Sequence, residues 1–137
     1  MIRVTRDIAA CRALRREVFI NEQGVSEADE VDGLDDSAIH LLAVDGDAPV
    51  GTARLLVKGA VGKIGRVCVL PAARGTGLGA ALILAALEEL RRVPGVTEAC
   101  LGSQSHATGF YEKLGFVVEG DEFLDAGIPH RHMRRAL

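Results

Sequence analysis

The sequence predicts an α+β fold with the three layers of an α/β arrangement. A mixed central sheet of about six to seven strands, in the element order β-α-β-β-β-α-β-α-β-β, carries helices on both faces. Three observations predict it. Apolar runs separated by tight-turn signals fill residues 38 to 70, as in an antiparallel meander. The helical pattern from Gly77 to about Arg92 is too apolar for a helix wet on most sides, so it packs on a sheet. After it, helical and strand segments alternate, as in βαβ units that bring strands parallel.

Each element has its own signal. Ile2 to Thr5 alternates and suits a short strand, and Thr5 or Asp7 can cap the next helix. Ile8, Cys11, Leu14, Val18 and Phe19 recur at three- and four-residue spacing, which predicts an amphipathic helix to about Asn21 that stops near Gly24. An acidic loop follows. Ala38 to Val44 reads as a strand, Asp45-Gly46-Asp47 as a tight turn and Pro49 to Val57 as the returning strand. Lys58-Gly59 turns again, and Val61 to Leu70 is a fourth strand ended by Pro71. Pro94-Gly95 ends the long helix. Thr97 to Gly102 is a strand, and Ser103 to Leu114 a shorter helix stopped by Gly115. Phe116 to Val118 and about His130 to Ala136 are the last strands, with turns at Gly120 and Gly127-Ile128-Pro129. No linker or repeat divides the chain, so residues 1–137 are expected to form one domain.

A chain of 137 residues buries about two-thirds of its unfolded surface on folding. Its 48% apolar and 26% charged residues are those of a soluble globular protein. A net charge of −3 argues against nucleic acid as the main partner. No apolar run approaches the roughly 20 residues of a membrane span. The N-terminus lacks a signal-peptide core, so a cytoplasmic protein with no membrane partner is expected. Cys11, Cys68 and Cys100 are odd in number and widely spaced. They fit neither a disulfide framework nor a metal site, so no metal is expected.

Charge is concentrated between Glu22 and Asp36, which hold seven acids and no base. Two readings stand: a solvated loop, or an acidic lip that attracts a cationic substrate such as an amine. The basic stretch from His130 to Arg135 reads as a strand with exposed charges.

The sharpest motif is Arg74-Gly75-Thr76-Gly77-Leu78-Gly79, between the strand Val67-Cys68-Val69-Leu70 and the long helix. Gly77 and Gly79 lack a Cβ, so phosphates can approach their backbone. The helix start offers unpaired N–H groups and about half a positive charge, and Arg74 adds a bidentate donor. This is neither a P-loop nor a dinucleotide fingerprint. About 30 residues on, Phe110 to Phe116 places the only tyrosine, Tyr111, at a helix end before a strand. Its phenol is either a half-buried aromatic with a bonded hydroxyl or an acid for a leaving group.

Taken together these residues resemble the GCN5-related N-acetyltransferases (GNAT) over nearly the whole chain. Arg74, Gly77 and Gly79 fill that family's [Arg/Gln]-x-x-Gly-x-[Gly/Ala] motif, and Phe110 to Phe116 matches its helix-to-strand tyrosine motif. Arg15 to Gln23 with Glu30-x-Asp32, and Phe123-x-Asp125-x-Gly127-Ile128-Pro129-His130, resemble the ElaA-like or YjcF-like subgroup. The resemblance implies a GNAT-like sheet and an N-acetyltransferase that moves acetyl from acetyl-CoA to a primary amine by direct attack in a ternary complex. The acceptor would be a small-molecule or peptide amine, and members often pair as homodimers.

It further implies that the cofactor lies between the strands 64–70 and 97–102, where they part. Backbone groups of Val67 and Val69 would pair with the pantetheine arm, an N–H near Cys68 or Val69 would polarise the thioester carbonyl, and N–H groups from Gly75 through Thr76, Gly77 and Leu78 to Gly79 would hold the pyrophosphate. Gln104 stands where many members have a pantetheine-contacting Asn. Tyr111 would protonate the departing thiolate. Candidate bases are Glu22, His40 and His130, with His106 expected on a helix surface and Cys68 an alternative nucleophile. Two other functions remain in view: a non-catalytic acyl-CoA-binding module, and an acyl-homoserine lactone synthase, which the segment Val18 to Gln23 distantly resembles.

Overall fold

The computed structural model describes all 137 residues. Seven strands form one sheet: β1 (Ile2–Thr5), β2 (Ile39–Asp45), β3 (Ala48–Lys58), β4 (Val61–Val69), β5 (Glu98–Gln104), β6 (Val117–Asp125) and β7 (Ile128–Ala136). Their spatial order is β1-β2-β3-β4-β5-β7-β6, antiparallel throughout except for the parallel pair β4–β5. The α-helices are α1 (Ile8–Arg15), α2 (Glu27–Glu30), α3 (Leu78–Arg91) and α4 (Thr108–Glu112). The expected mixed sheet with helices on both faces is therefore the fold. No helix is long and apolar enough to cross a membrane.

Alternation along β2 explains the layering. Leu41 and Ala43 face α3, whose Leu82, Ile83, Ala86, Leu87 and Leu90 are fully buried beside Ala53, Leu55 and Ile64. Leu42 and Val44 face the other way and join Cys68 with Cys11 and Leu14 of α1 and with Val18 just beyond it. Asp7 caps α1 by accepting a hydrogen bond from the Ala10 N–H at 3.1 Å. The helix does not stop cleanly: it passes into a π-helical stretch, Arg16–Glu22, an irregularity that often marks functional sites.

Three expectations need correction. The acidic loop is folded into α2 and a 3₁₀ turn at Asp35–Ser37. The helix expected over Ser103 to Leu114 is shorter: β5 continues through Ser103, which alternates inward like Leu101, and only Thr108–Glu112 is α-helical after a 3₁₀ turn at Ser105–Ala107. β6 runs to Asp125 rather than ending at Val118. Its Glu119, Asp121 and Glu122 are exposed on an outer strand, so their polarity hid the pairing.

α3 sits close against β4 because Gly62 has no side chain. A Cβ there would collide with the Leu90 side chain. Gly62→Ala is expected to cost about 1–3 kcal/mol, the usual range for overpacking a filled core, as read from urea unfolding.

Candidate active site

β4 and β5 stay paired for only three residues, Val61↔Glu98 to Lys63↔Cys100, and then separate. Past Lys63 the edge of β4 that faced β5 has no strand partner. On the other edge of β4 the register slips by one: Thr52 lies opposite Cys68, but Arg54 lies opposite Gly65. Two β4 residues, Arg66 and Val67, thus oppose Ala53 in a β-bulge, and Arg66 takes a positive φ of 50°. A cleft of about 260 Å³ occupies the gap, walled by residues 64–67 of β4, Leu101, Gly102 and Gln104 of β5, and Tyr111. A second cavity of about 250 Å³ lies at the start of α3, bounded by Val69, Arg74, Gly75, Gly77 to Ala80 and Phe110. Val67 borders the first and Val69 the second, as do Tyr111 and Phe110, so the two share their flanking segments.

The glycine loop has the form expected of an anion cradle. Gly77 caps α3 with φ +84°, a left-handed conformation that suits glycine. Open space lies where a Cβ would stand at Gly75 and Gly77. The first bond within the helix runs from the Ala81 N–H to the Gly77 carbonyl, so the N–H groups of residues 78–80 lack helical acceptors. Thr76 Oγ donates to the Ala73 carbonyl at 2.6 Å and holds the loop.

Arg74 and Glu22, expected in different roles, meet in the structure. Both terminal nitrogens of Arg74 donate to the Glu22 carboxylate at 2.6 Å, and its Nε donates to the Val69 carbonyl at 3.0 Å. The Arg74 hydrogen bonds hold the Glu22 carboxyl below its usual range. The π-helical end of α1 thus delivers Glu22 to the rim of the cradle, off the cleft wall.

His40 lies away from the cleft. It is buried on β2 with Nε2 against the Asp35 carbonyl at 2.8 Å, and it does not line the cleft. His106 is exposed, with Nε2 at 2.8 Å from Gln104 Oε1. Gln104 and His130 do line the cleft. The three cysteines are free thiols, and burial pushes that of Cys68 up to about 12. Tyr111 lines the cleft, half-buried and edge-on to Phe110 and Phe116 at 4.9 and 6.2 Å; burial raises its phenol pKa.

The acidic run is not a simply solvated loop. Five of its seven carboxylates are in ion pairs: Glu22 with Arg74, Glu27 with Arg16, and Glu30, Asp32 and Asp35 in one cluster. Arg15, 1% exposed, donates to Glu30 at 2.6 Å and to both Asp35 oxygens at 3.0 and 2.7 Å. Arg54 grips Asp32 with two bonds, at 2.8 and 2.7 Å, and reaches Asp35 at 3.2 Å. Arg66, from the bulge, donates to the carbonyls of Asp29 and Glu30 and to Asp32. Burial alone would raise the Asp35 carboxyl, but the bonds from Arg15 and Arg12 outweigh it and hold it well below the usual range. The Arg54 hydrogen bonds hold Asp32 at about 2. Sequence reasoning missed these arginines, although Arg54 inside the apolar run Ala53 to Val57 was a signal, since a cation there needs a buried carboxylate.

A parted parallel strand pair with a bulge, and a glycine cradle on the next helix, define an acyl-CoA-dependent transferase architecture. Comparison makes the assignment specific. The acetyltransferase (GNAT) domain model matches residues 8–137. The uncharacterized N-acetyltransferase YjcF of Bacillus subtilis is 41% identical over 123 residues, covering 89% of this chain and 87% of that protein. An acyl-CoA N-acyltransferase from Pseudomonas aeruginosa superposes with a TM-score of 0.87 at 35% identity over 99% of this chain and 98% of that one. Escherichia coli ElaA does so at 0.85 and 30%, over 98% and 99%. The chain belongs to the GNAT acetyltransferase family.

Two stability outcomes follow from the ionic cluster. Asp35→Ala strands the Arg15 guanidinium without its main partner, and is expected to cost about 3–5 kcal/mol in urea unfolding. Asp32 has a depressed pKa, so its stabilisation is complete above about pH 4 and is lost as pH falls through about 2. Asp32→Asn is therefore expected to be less stable than wild type at pH 7, with the gap closing across that acid window.

Proposed function

We propose that residues 1–137 act as one domain that transfers an acetyl group from acetyl-CoA to a primary amine by direct attack in a ternary complex. The observation that carries this reading is the presence of Tyr111 in the cleft where β4 and β5 part, beside the glycine cradle. The free N–H groups at the start of α3 and the open space over Gly75 and Gly77 suit a pyrophosphate. The unpaired edge of β4 at Val67 and Val69 suits an extended arm that adds like a strand. An aminoglycoside 6'-N-acetyltransferase complexed with coenzyme A shares the fold, with a TM-score of 0.79 at 16% identity.

Acetyl-CoA supplies the acetyl group as an activated thioester. The chain's part is to bind, orient and move protons. The backbone N–H of Cys68 or Val69 orients the carbonyl and stabilises charge on its oxygen. Tyr111, kept neutral by burial, gives its hydroxyl proton to the sulfur that leaves. Direct transfer is favoured over a covalent relay because the Cys68 thiol is buried and, at about 12, is protonated at neutral pH.

The test is thiol release from acetyl-CoA with a panel of simple amines, polyamines, aminoglycosides and peptides. Turnover with at least one amine is expected. Tight CoA binding without turnover on any amine would point instead to the binding-module reading. Tyr111→Phe is expected to lower turnover by about tenfold or more, within the usual range for acid catalysis, with acetyl-CoA affinity unchanged. Equal turnover would remove Tyr111 from the acid role.

A further inference from the structure

Resting on the acetyltransferase reading, we infer that His130 is the base that takes the proton from the acceptor ammonium, through Nε2. An alkylammonium of pKa about 10 must lose a proton before its nitrogen can attack. Imidazole is the side chain suited to accept one near neutral pH.

His130 is half-buried near the start of β7 and lines the cleft with Tyr111. Its Nδ1 lies 2.7 Å from the Ile128 carbonyl oxygen. A carbonyl can only accept, so Nδ1 carries the proton of the neutral ring, and Nε2 presents a lone pair. The Cδ2 edge of the ring lies beside Gly102 of β5, which also lines the cleft. Phe123 stands 5.8 Å away and forms an apolar side to the imidazole. The hydrogen bond at Nδ1 fixes both tautomer and ring orientation without using the nitrogen that reacts.

The alternatives are otherwise engaged. Glu22 is bound by Arg74, and the Nε2 of His40 is buried against a carbonyl. His132 shares the wall but is exposed and stacked face to face on Phe123 at 4.1 Å. Among the other charged groups of the cleft, Glu30 and Arg66 are tied into the ionic cluster, while Asp29 of α2, Lys63 of β4 and Asp125 of β6 are exposed and solvated.

The protons balance. One passes from the ammonium to Nε2 and on to water. The second leaves nitrogen as the N–C bond forms and the C–S bond breaks, and it replaces the proton that Tyr111 gives to sulfur.

The test uses His130→Asn, whose amide can still donate to the Ile128 carbonyl but cannot accept at the Nε2 position, with His130→Gln as a second variant should Asn fold poorly. With an amine that wild type acetylates, kcat/KM at pH 7 is expected to fall by about 100-fold or more. The deficit should shrink toward about pH 10, where the amine sheds its proton unaided. Acetyl-CoA affinity should not change, and 15N NMR of the wild-type ring should show the proton on Nδ1. A rate within about twofold of wild type, a deficit constant across pH, or a neutral ring protonated on Nε2 overturns the assignment alone. Wild-type protein that releases no thiol with any amine overturns the acetyltransferase reading and this one with it.

Discussion

The guanidinium of Arg15, buried beneath α1, makes the conformation of the segment from Gln23 to Ala38 depend on charge. This segment has few apolar anchors, and its backbone is tied to the sheet through carboxylates. Glu30 and Asp35 neutralise Arg15 from one side, and Asp32 and Asp35 neutralise Arg54 from β3. Desolvating such ions costs several kcal/mol each, and only multiple short bonds offset that. The cluster is therefore better understood as a register device than as a source of net stability: it accepts one placement of α2 and rejects displaced ones.

That placement shapes the site. Arg66 leaves the β4 bulge at positive φ, a costly conformation for a non-glycine residue, and its side chain is bonded to the carbonyls of Asp29 and Glu30 and to Asp32. The same acids that fix α2 thus brace the bulge, and the bulge ends the regular ladder where an extended arm would add. Asp29 and Glu30 also stand in the cleft wall. An acidic run that looked like a lure for cationic substrates acts first as the clamp that forms one side of the cleft.

Much of this was legible in the sequence and some was not, for distinct reasons. The long helix over the sheet and the meander were read from local patterning, because α3 and β2 to β4 contain apolar runs with clear turn residues. The glycine loop was equally plain, since its chemistry lies within six consecutive residues. β6 was cut short because an outer strand needs little apolar content. The partners of the acidic run were invisible because Arg54 and Arg66 are distant along the chain and join it only through the packing of α1 and α2 on β3 and β4. The candidate bases could not be ranked from the sequence for the same reason: Glu22 and His40 have suitable chemistry, and only the fold shows that Glu22 is bonded to Arg74 and His40 to the Asp35 carbonyl.

The pairing of Arg74 with Glu22 joins the two halves of the site. Arg74 bounds the glycine cradle, and Glu22 ends the same π-helical stretch from which Phe19 reaches the cleft wall. An anion in the cradle competes with the Glu22 carboxylate for a guanidinium that both can bind in bidentate fashion. The pair lies at the surface, about 40% exposed on each side, so water can replace either contact at little cost. The rim of the cradle is thus tied to the end of the π-helical stretch by an exposed contact, and the cleft wall is held by a buried one. The buried cluster braces one wall of the cleft, and the exposed pair stands at the rim of the cradle.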